Sequence, residues 1–137
     1  MKAKDLSTPK SKVISVYSDT SVESALKIML KSHFTMIPVL ERESDRYIYS
    51  LSTSDILARF AETEDIESVK KETISSIAIG RLIVPCRMDT EVEILTDLVV
   101  NQNYVPLVDE DGKFVGLVTR KAVINYLVVR LDECKGE

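Results

Sequence analysis

The sequence predicts a mixed α/β (α+β) fold: two pseudo-symmetric repeats, each strand, helix, strand, strand, helix, packed together as one module. Three observations carry this expectation. Asp19-Thr20-Ser21-Val22-Glu23 returns seventy positions later as Asp89-Thr90-Glu91-Val92-Glu93. Met36-Ile37-Pro38-Val39-Leu40 returns as Tyr104-Val105-Pro106-Leu107-Val108, at a slightly shorter offset. Tyr49 to Ile56 returns as Gly116 to Val123, so the first copy carries a few extra residues. A repeat constrains a fold more than local propensity does, and each copy alone is too small to bury its helices and sheet well.

In the first copy, Val13 to Val16 reads as a short strand. Thr20 and Glu23 then have the spacing of a capping box, and Val22, Ala25, Leu26, Met29 and Leu30 form one apolar stripe, which predicts a helix ending near His33-Phe34. Met36 to Leu40 is an apolar run short enough for a strand, with Pro38 suggesting a strand start or edge. After the charged turn Glu41 to Arg46, Tyr47 to Leu51 returns as a strand, and Ser52 to Asp55 caps a helix over Ile56 to Glu62. Thr63 to Ile79 mixes charges with Ile66, Val69, Ile74 and Ile77 and reads as a helical connector.

The second copy repeats the pattern. A strand near Leu82 to Val84 precedes a helix over Glu91 to Val100, capped by Thr90 and Glu93. The strand Tyr104 to Val108, the turn Asp109 to Gly112 and the strand Lys113 to Val118 lead to a helix from about Arg120 to Leu131. Asp-Gly in that turn supplies the positive dihedral a hairpin needs. The expected divisions are therefore 5–62, a connector 63–79, and 80–131.

The chain has 137 residues, 45% apolar and 29% charged, with 18 basic against 22 acidic side chains. That is ordinary globular composition, and a net charge of −4 without basic blocks gives no footprint for nucleic acid. No window approaches the length of a membrane span, and the start resembles no signal peptide, so a cytoplasmic protein is expected. Cys86 and Cys134 are far apart with no His or Cys partner nearby, which suggests neither zinc nor a disulfide framework.

Catalysis is not expected. The single histidine, His33, sits at a helix end where a capping role suits it, and the chain has no Gly-rich phosphate loop, HExxH motif or paired nucleophile. Asp5, Asp19, Asp89 and Asp111 read as turn or pre-cap residues.

With the lead-in Asp5-Leu6-Ser7-Thr8-Pro9, the repeated Asp-Thr-x-Val-Glu helix starts, Ile37-Pro38-Val39 with Val105-Pro106-Leu107, and Gly116-Leu117-Val118-Thr119, the chain resembles a tandem CBS-domain protein, or Bateman module. Lys12 to Leu40 and Asn101 to Lys121 most resemble the small stand-alone CBS proteins of Gram-positive bacteria that bind cyclic di-AMP. The resemblance implies a non-catalytic sensor that binds cyclic di-AMP in a cleft between repeats, works as a homodimer and regulates a protein partner. It implies no resident cofactor and no metal. The alternatives are a regulatory module for AMP, ATP or S-adenosylmethionine, and a nucleotide-independent dimerisation module.

The family's nucleotide motif is a glycine, two apolar residues, Ser or Thr, two residues, then Asp. The first copy supplies Ser52 and Asp55 but has Tyr49 at the glycine, so this second possible cleft is either filled or offers a ring to a base. The second copy keeps Gly116 and Thr119, replaces the acid with Ala122, and adds Arg120 and Lys121. Cations at a helix start oppose its dipole, which points to a phosphate-rich ligand poor in ribose diols, as cyclic di-AMP is. By the same resemblance, Lys12, Ile14, Phe34, Thr35 and Met36 surround adenine and phosphate, with backbone groups at Ile14 and Met36 reading the base edge.

Overall fold

The computed structural model describes residues 1–136. It divides into two compact units: Ile14–Leu82, and Met1–Val13 together with the residues from Ile83 onward.

In the unit Ile14–Leu82, β2 (Val16–Tyr17) pairs parallel with β3 (Met36–Leu40), which pairs antiparallel with β4 (Tyr47–Ser52). α2 (Val22–Ser32) connects β2 to β3, and α3 (Thr53–Glu62) and α4 (Ile66–Lys71) follow β4. Three residues of the predicted stripe, Val22, Ala25 and Met29, join Ile37, Val39, Leu51 and Ile56 in one core, with Leu26 partly buried against it, while Leu30 at the end of the stripe is exposed. His33 ends α2 in the left-handed conformation, at φ 62. The connector forms α4 and a 3-10 turn at Ile74–Ser76, and buries Val69, Ile74 and Ile77.

In the other unit, α1 (Ala3–Leu6) and β1 (Thr8–Pro9) precede β5 (Cys86–Arg87), α5 (Val92–Val99), β6 (Tyr104–Val108), β7 (Phe114–Thr119) and α6 (Arg120–Lys135). The sheet order is β1-β7-β6-β5. Ala3, Leu95, Val105, Leu107, Val118 and Val123 form its core. The turn before β7 has the chemistry expected of it: Gly112 sits at φ 80, and Asp109 Oδ1 accepts from the N–H groups of Asp111 and Lys113.

Three local expectations are corrected. The strand expected at Val13 to Val16 is only Val16–Tyr17, and the one near Leu82 to Val84 is displaced to Cys86–Arg87, with Leu82 left exposed. Both helix starts fall one residue later than expected. The Thr20 and Thr90 hydroxyls instead accept from Tyr17 N–H and Arg87 N–H, closing the preceding turns. Ser21 therefore caps α2, its Oγ accepting from Ser24 N–H at 3.1 Å, while Glu91 caps α5 without a side-chain bond and pairs with Lys2.

The N-terminal segment, read as a lead-in to the first copy, packs with the second. Thr8 lies opposite Leu117 and Pro9 opposite Gly116 in the β1–β7 register. Ala3 is fully buried, and its N–H donates to Thr90 O at 2.8 Å.

Burial pushes the Tyr47 hydroxyl from its ordinary value of 10.0 up to about 12, partly offset by its hydrogen bond with Ser50 Oγ at 2.8 Å. Between those two values the unfolded chain releases this proton and the folded chain keeps it, so stability is lost as pH rises through that window. The urea midpoint of the protein is expected to fall between roughly pH 9 and 11.5 more steeply than that of Tyr47→Phe. Equal slopes would remove Tyr47 as a cause.

Candidate functional site

The two units repeat one local geometry at one end of each sheet. In the first, β3 begins at Met36, opposite Ser52, the last residue of β4. Ser52 caps α3: its Oγ accepts from Asp55 N–H at 3.0 Å, and Asp55 Oδ2 accepts from Ser52 N–H at 3.0 Å. The capping box expected there is present. The carboxylate does a further task that the sequence did not suggest, since Asp55 Oδ1 accepts from Gly80 N–H at 3.0 Å and ties down the end of the connector. Two of its acceptor positions are thus taken and the others remain.

Met36 and Thr35 lie at the same end of the sheet as this helix start. Thr35 contributes its carbonyl to Thr53 N–H at 2.9 Å, which joins the start of β3 to the start of α3. Ile14 lies two residues before β2, and Phe34 two residues before β3, with its ring about half exposed. Neither backbone group of Ile14 is hydrogen-bonded among the described residues.

Of the two alternatives for Tyr49, the structure shows its ring packed inward. It packs against the core of its own unit, its hydroxyl donates to Ile74 O at 3.4 Å, and burial raises its pKa. β4 is an edge strand, with β3 on one side only.

In the second unit Gly116 takes the equivalent position on a strand with neighbours on both sides. A Cβ on Gly116 would stand 2.5 Å from Thr8 O, so the glycine is required by the close approach of β1. Its role is packing as well as motif.

At the end of β7, Thr119 caps α6, its Oγ1 accepting from Ala122 N–H at 3.0 Å. Arg120 follows, half-buried. Its backbone N–H donates to Asn103 O at 2.9 Å, and its side-chain Nε donates to Val99 O at 2.7 Å. That bond fixes the guanidinium and leaves both terminal nitrogens without a partner among the described residues. Lys121 is exposed, and no ion pair is formed by Arg120 or Lys121 among the described residues.

Lys12 also belongs to this unit, on an exposed 3-10 turn, Lys10–Lys12, packed on β7. No hydrogen bond joins it to Thr119 or Arg120. The structure therefore gathers Ile14, Phe34, Thr35, Met36, Ser52 and Asp55 in one unit, and Thr119, Arg120 and Lys121 at one helix start in the other.

One unit offers a fixed, unneutralised cation fork beside a capped helix start, which suits an anion; the other offers a carboxylate with spare acceptor positions, which suits hydroxyls, and an Ile14 backbone unbonded among the described residues, which suits a base edge. Cys86 is half-buried, its thiol pushed up by burial, and both cysteines are free.

Comparison with known proteins agrees with this repeated geometry. The CBS domain family matches residues 3–62 and 79–129. UPF0053 protein YrkA of Bacillus subtilis is 24% identical over 127 residues, 92% of this chain but 29% of YrkA, and the chain spans less than half the length of the first curated relatives it matches. Among solved structures, CBSX2 of Arabidopsis thaliana in complex with AMP aligns with a TM-score of 0.74 at 26% identity, covering 93% of this chain and 96% of that one. CbpB in complex with c-di-AMP aligns with a TM-score of 0.82 at 17% identity, covering 99% and 90%, a likeness of fold. Two copies of one strand-and-helix pattern, each ending in a hydroxyl-capped helix, and a family match over both, identify the chain as a member of the CBS domain family, carrying the tandem repeat.

Proposed function

We propose that this chain is a non-catalytic, cytoplasmic sensor that binds cyclic di-AMP and passes its occupancy to a protein partner. The single observation that carries the reading is the Arg120 guanidinium, held by Val99 O through Nε with its terminal nitrogens unpaired, beside Lys121 and the Thr119-capped start of α6. Unpaired cations there oppose the helix dipole and gain when a phosphate arrives. The residue two beyond Arg120 is Ala122, so no carboxylate repels that phosphate or holds a ribose diol.

In this reading Thr119, Arg120 and Lys121 hold phosphate, with Lys12 adding charge. Ile14 and Met36 present backbone groups to adenine, and Phe34 and Thr35 flank it. CbpB, a chain of the same fold, is solved with c-di-AMP, so the fold is able to take such a ligand. The nucleotide shifts a binding equilibrium by favouring one conformation, with no bond made or broken.

The sensor works as a homodimer. Val123 of α6 is buried, yet Ile124, Leu127, Val128 and Leu131 stand 40% or more exposed, so a single chain leaves this helix apolar on a second side. A second copy is its natural cover.

A second reading is supported by Asp55. Its spare acceptor positions beside Ser52 suit the diol of AMP, the ligand of CBSX2 in its complex. Thermal melting separates the readings, because a ligand of the native state raises the midpoint. Cyclic di-AMP is expected to raise it at lower concentration than AMP, ATP or S-adenosylmethionine. A rise with AMP alone would favour the second reading, and no rise with any would favour a nucleotide-independent module.

A further inference from the structure

Gln102 is the one buried side-chain amide of its unit, 5% exposed, and its bonds go to the backbone of Val84 and Tyr104. Its Oε1 accepts from Val84 N–H at 2.8 Å, while its Nε2 donates to Val84 O at 3.2 Å and to Tyr104 O at 3.2 Å. Only this orientation of the amide serves all three groups, since two carbonyls need a donor and one N–H needs an acceptor.

The strand register gives this contact a counterpart in the first repeat. Val16 pairs with Val39 and Cys86 with Leu107, so Ile14 and Val84 each lie two residues before the paired position. Phe34 and Gln102 each lie five residues before it on the neighbouring strand. Phe34 has no amide and stands half exposed, and the Ile14 backbone is unbonded among the described residues. At Val84 the same backbone pair is occupied.

We infer that Gln102 acts as an internal stand-in for an adenine edge and closes the second repeat to a base, leaving each chain one adenine-reading edge, at Ile14. An amide offers one acceptor next to an NH2 donor, the pattern that adenine offers through N1 and N6. A second, independent difference points the same way: the hydroxyl caps Ser52 and Thr119 correspond, but where the first repeat has Asp55 the second has Ala122 and no acceptor for ribose. The second repeat thus supplies phosphate donors and no nucleoside seat. This rests on the proposal that Ile14 reads adenine.

Nuclear magnetic resonance of the 15N-labelled full chain, titrated with AMP and with cyclic di-AMP, tests it at two separate amides. In the wild type the Val84 N–H is expected to exchange slowly and to keep its shift at saturating nucleotide, while the Ile14 N–H moves. In Gln102→Ala, Val84 exchanges at least about tenfold faster and its signal moves with nucleotide. Gln102→Phe, which copies the residue of the first repeat, gives the same readout where the alanine variant does not fold. A wild-type Val84 signal that moves with nucleotide as Ile14 does, or a folded variant whose Val84 stays still, overturns the inference. A motionless Ile14 in the wild type defeats the proposed function instead, and Val84 in the variant still decides the closure.

Discussion

Replacing Gly116 by alanine is expected to lower the melting midpoint by on the order of 4–12 °C, from a loss of about 1–3 kcal/mol at roughly 4 °C per kcal/mol. The new Cβ would stand 2.5 Å from Thr8 O and 3.4 Å from Pro9 Cα. Both obstacles are backbone, so no side chain can rotate away, and β1 must leave β7. The segment that β1 anchors contains Ala3, fully buried, and its displacement uncovers part of the second core. Gly80→Ala is the control. Its Cβ would meet only Asp55 Oδ1, at 3.3 Å, a side-chain atom that yields by a small rotation, so its loss is expected to stay within about 0.5 kcal/mol. An unchanged midpoint for Gly116→Ala in calorimetry would contradict the β1–β7 packing.

Arg120→Ala is expected to weaken cyclic di-AMP binding by about 1.5–3 kcal/mol, roughly 10- to 150-fold in Kd. The side chain enters the site already oriented, because its Nε is spent on Val99 O at 2.7 Å and only the terminal nitrogens are left for an anion. Lysine has no second arm, so Arg120→Lys restores the charge but not the orientation, and recovers the affinity only in part. The variant also leaves Val99 O without that donor, at a cost to stability of about 1 kcal/mol, which a melting curve without ligand measures separately. Unchanged affinity for a folded Arg120→Ala would remove this residue from the site.

Much of this was legible in the residues, and the exceptions have physical causes. The hairpin before β7 could be read because Asp109 and Gly112 carry their own turn chemistry, and the stripe Val22, Ala25, Met29 because burial imposes a helical period. The helix starts were displaced by one residue because a threonine hydroxyl can cap a helix or close the turn before it, and Thr20 and Thr90 do the latter. The segment before Val13, expected with the first copy, packs in the second unit, since nothing local in Ala3 or Pro9 states which strand will accept them.

The site followed the same division. Ser52 with Asp55, and Thr119 with Arg120, were visible as short-range patterns. The Gly80 bond to Asp55 and the Gln102 bonds to Val84 join positions far apart in sequence, and polar residues in such pairs carry no period to betray them.

Titration calorimetry of the full chain with cyclic di-AMP, AMP, ATP and S-adenosylmethionine tests the central claim most directly, since it reads affinity and stoichiometry together. Saturable binding of cyclic di-AMP, tighter than that of the three other nucleotides and reduced in Arg120→Ala, is the predicted result. No saturable heat with cyclic di-AMP from a folded chain would contradict it.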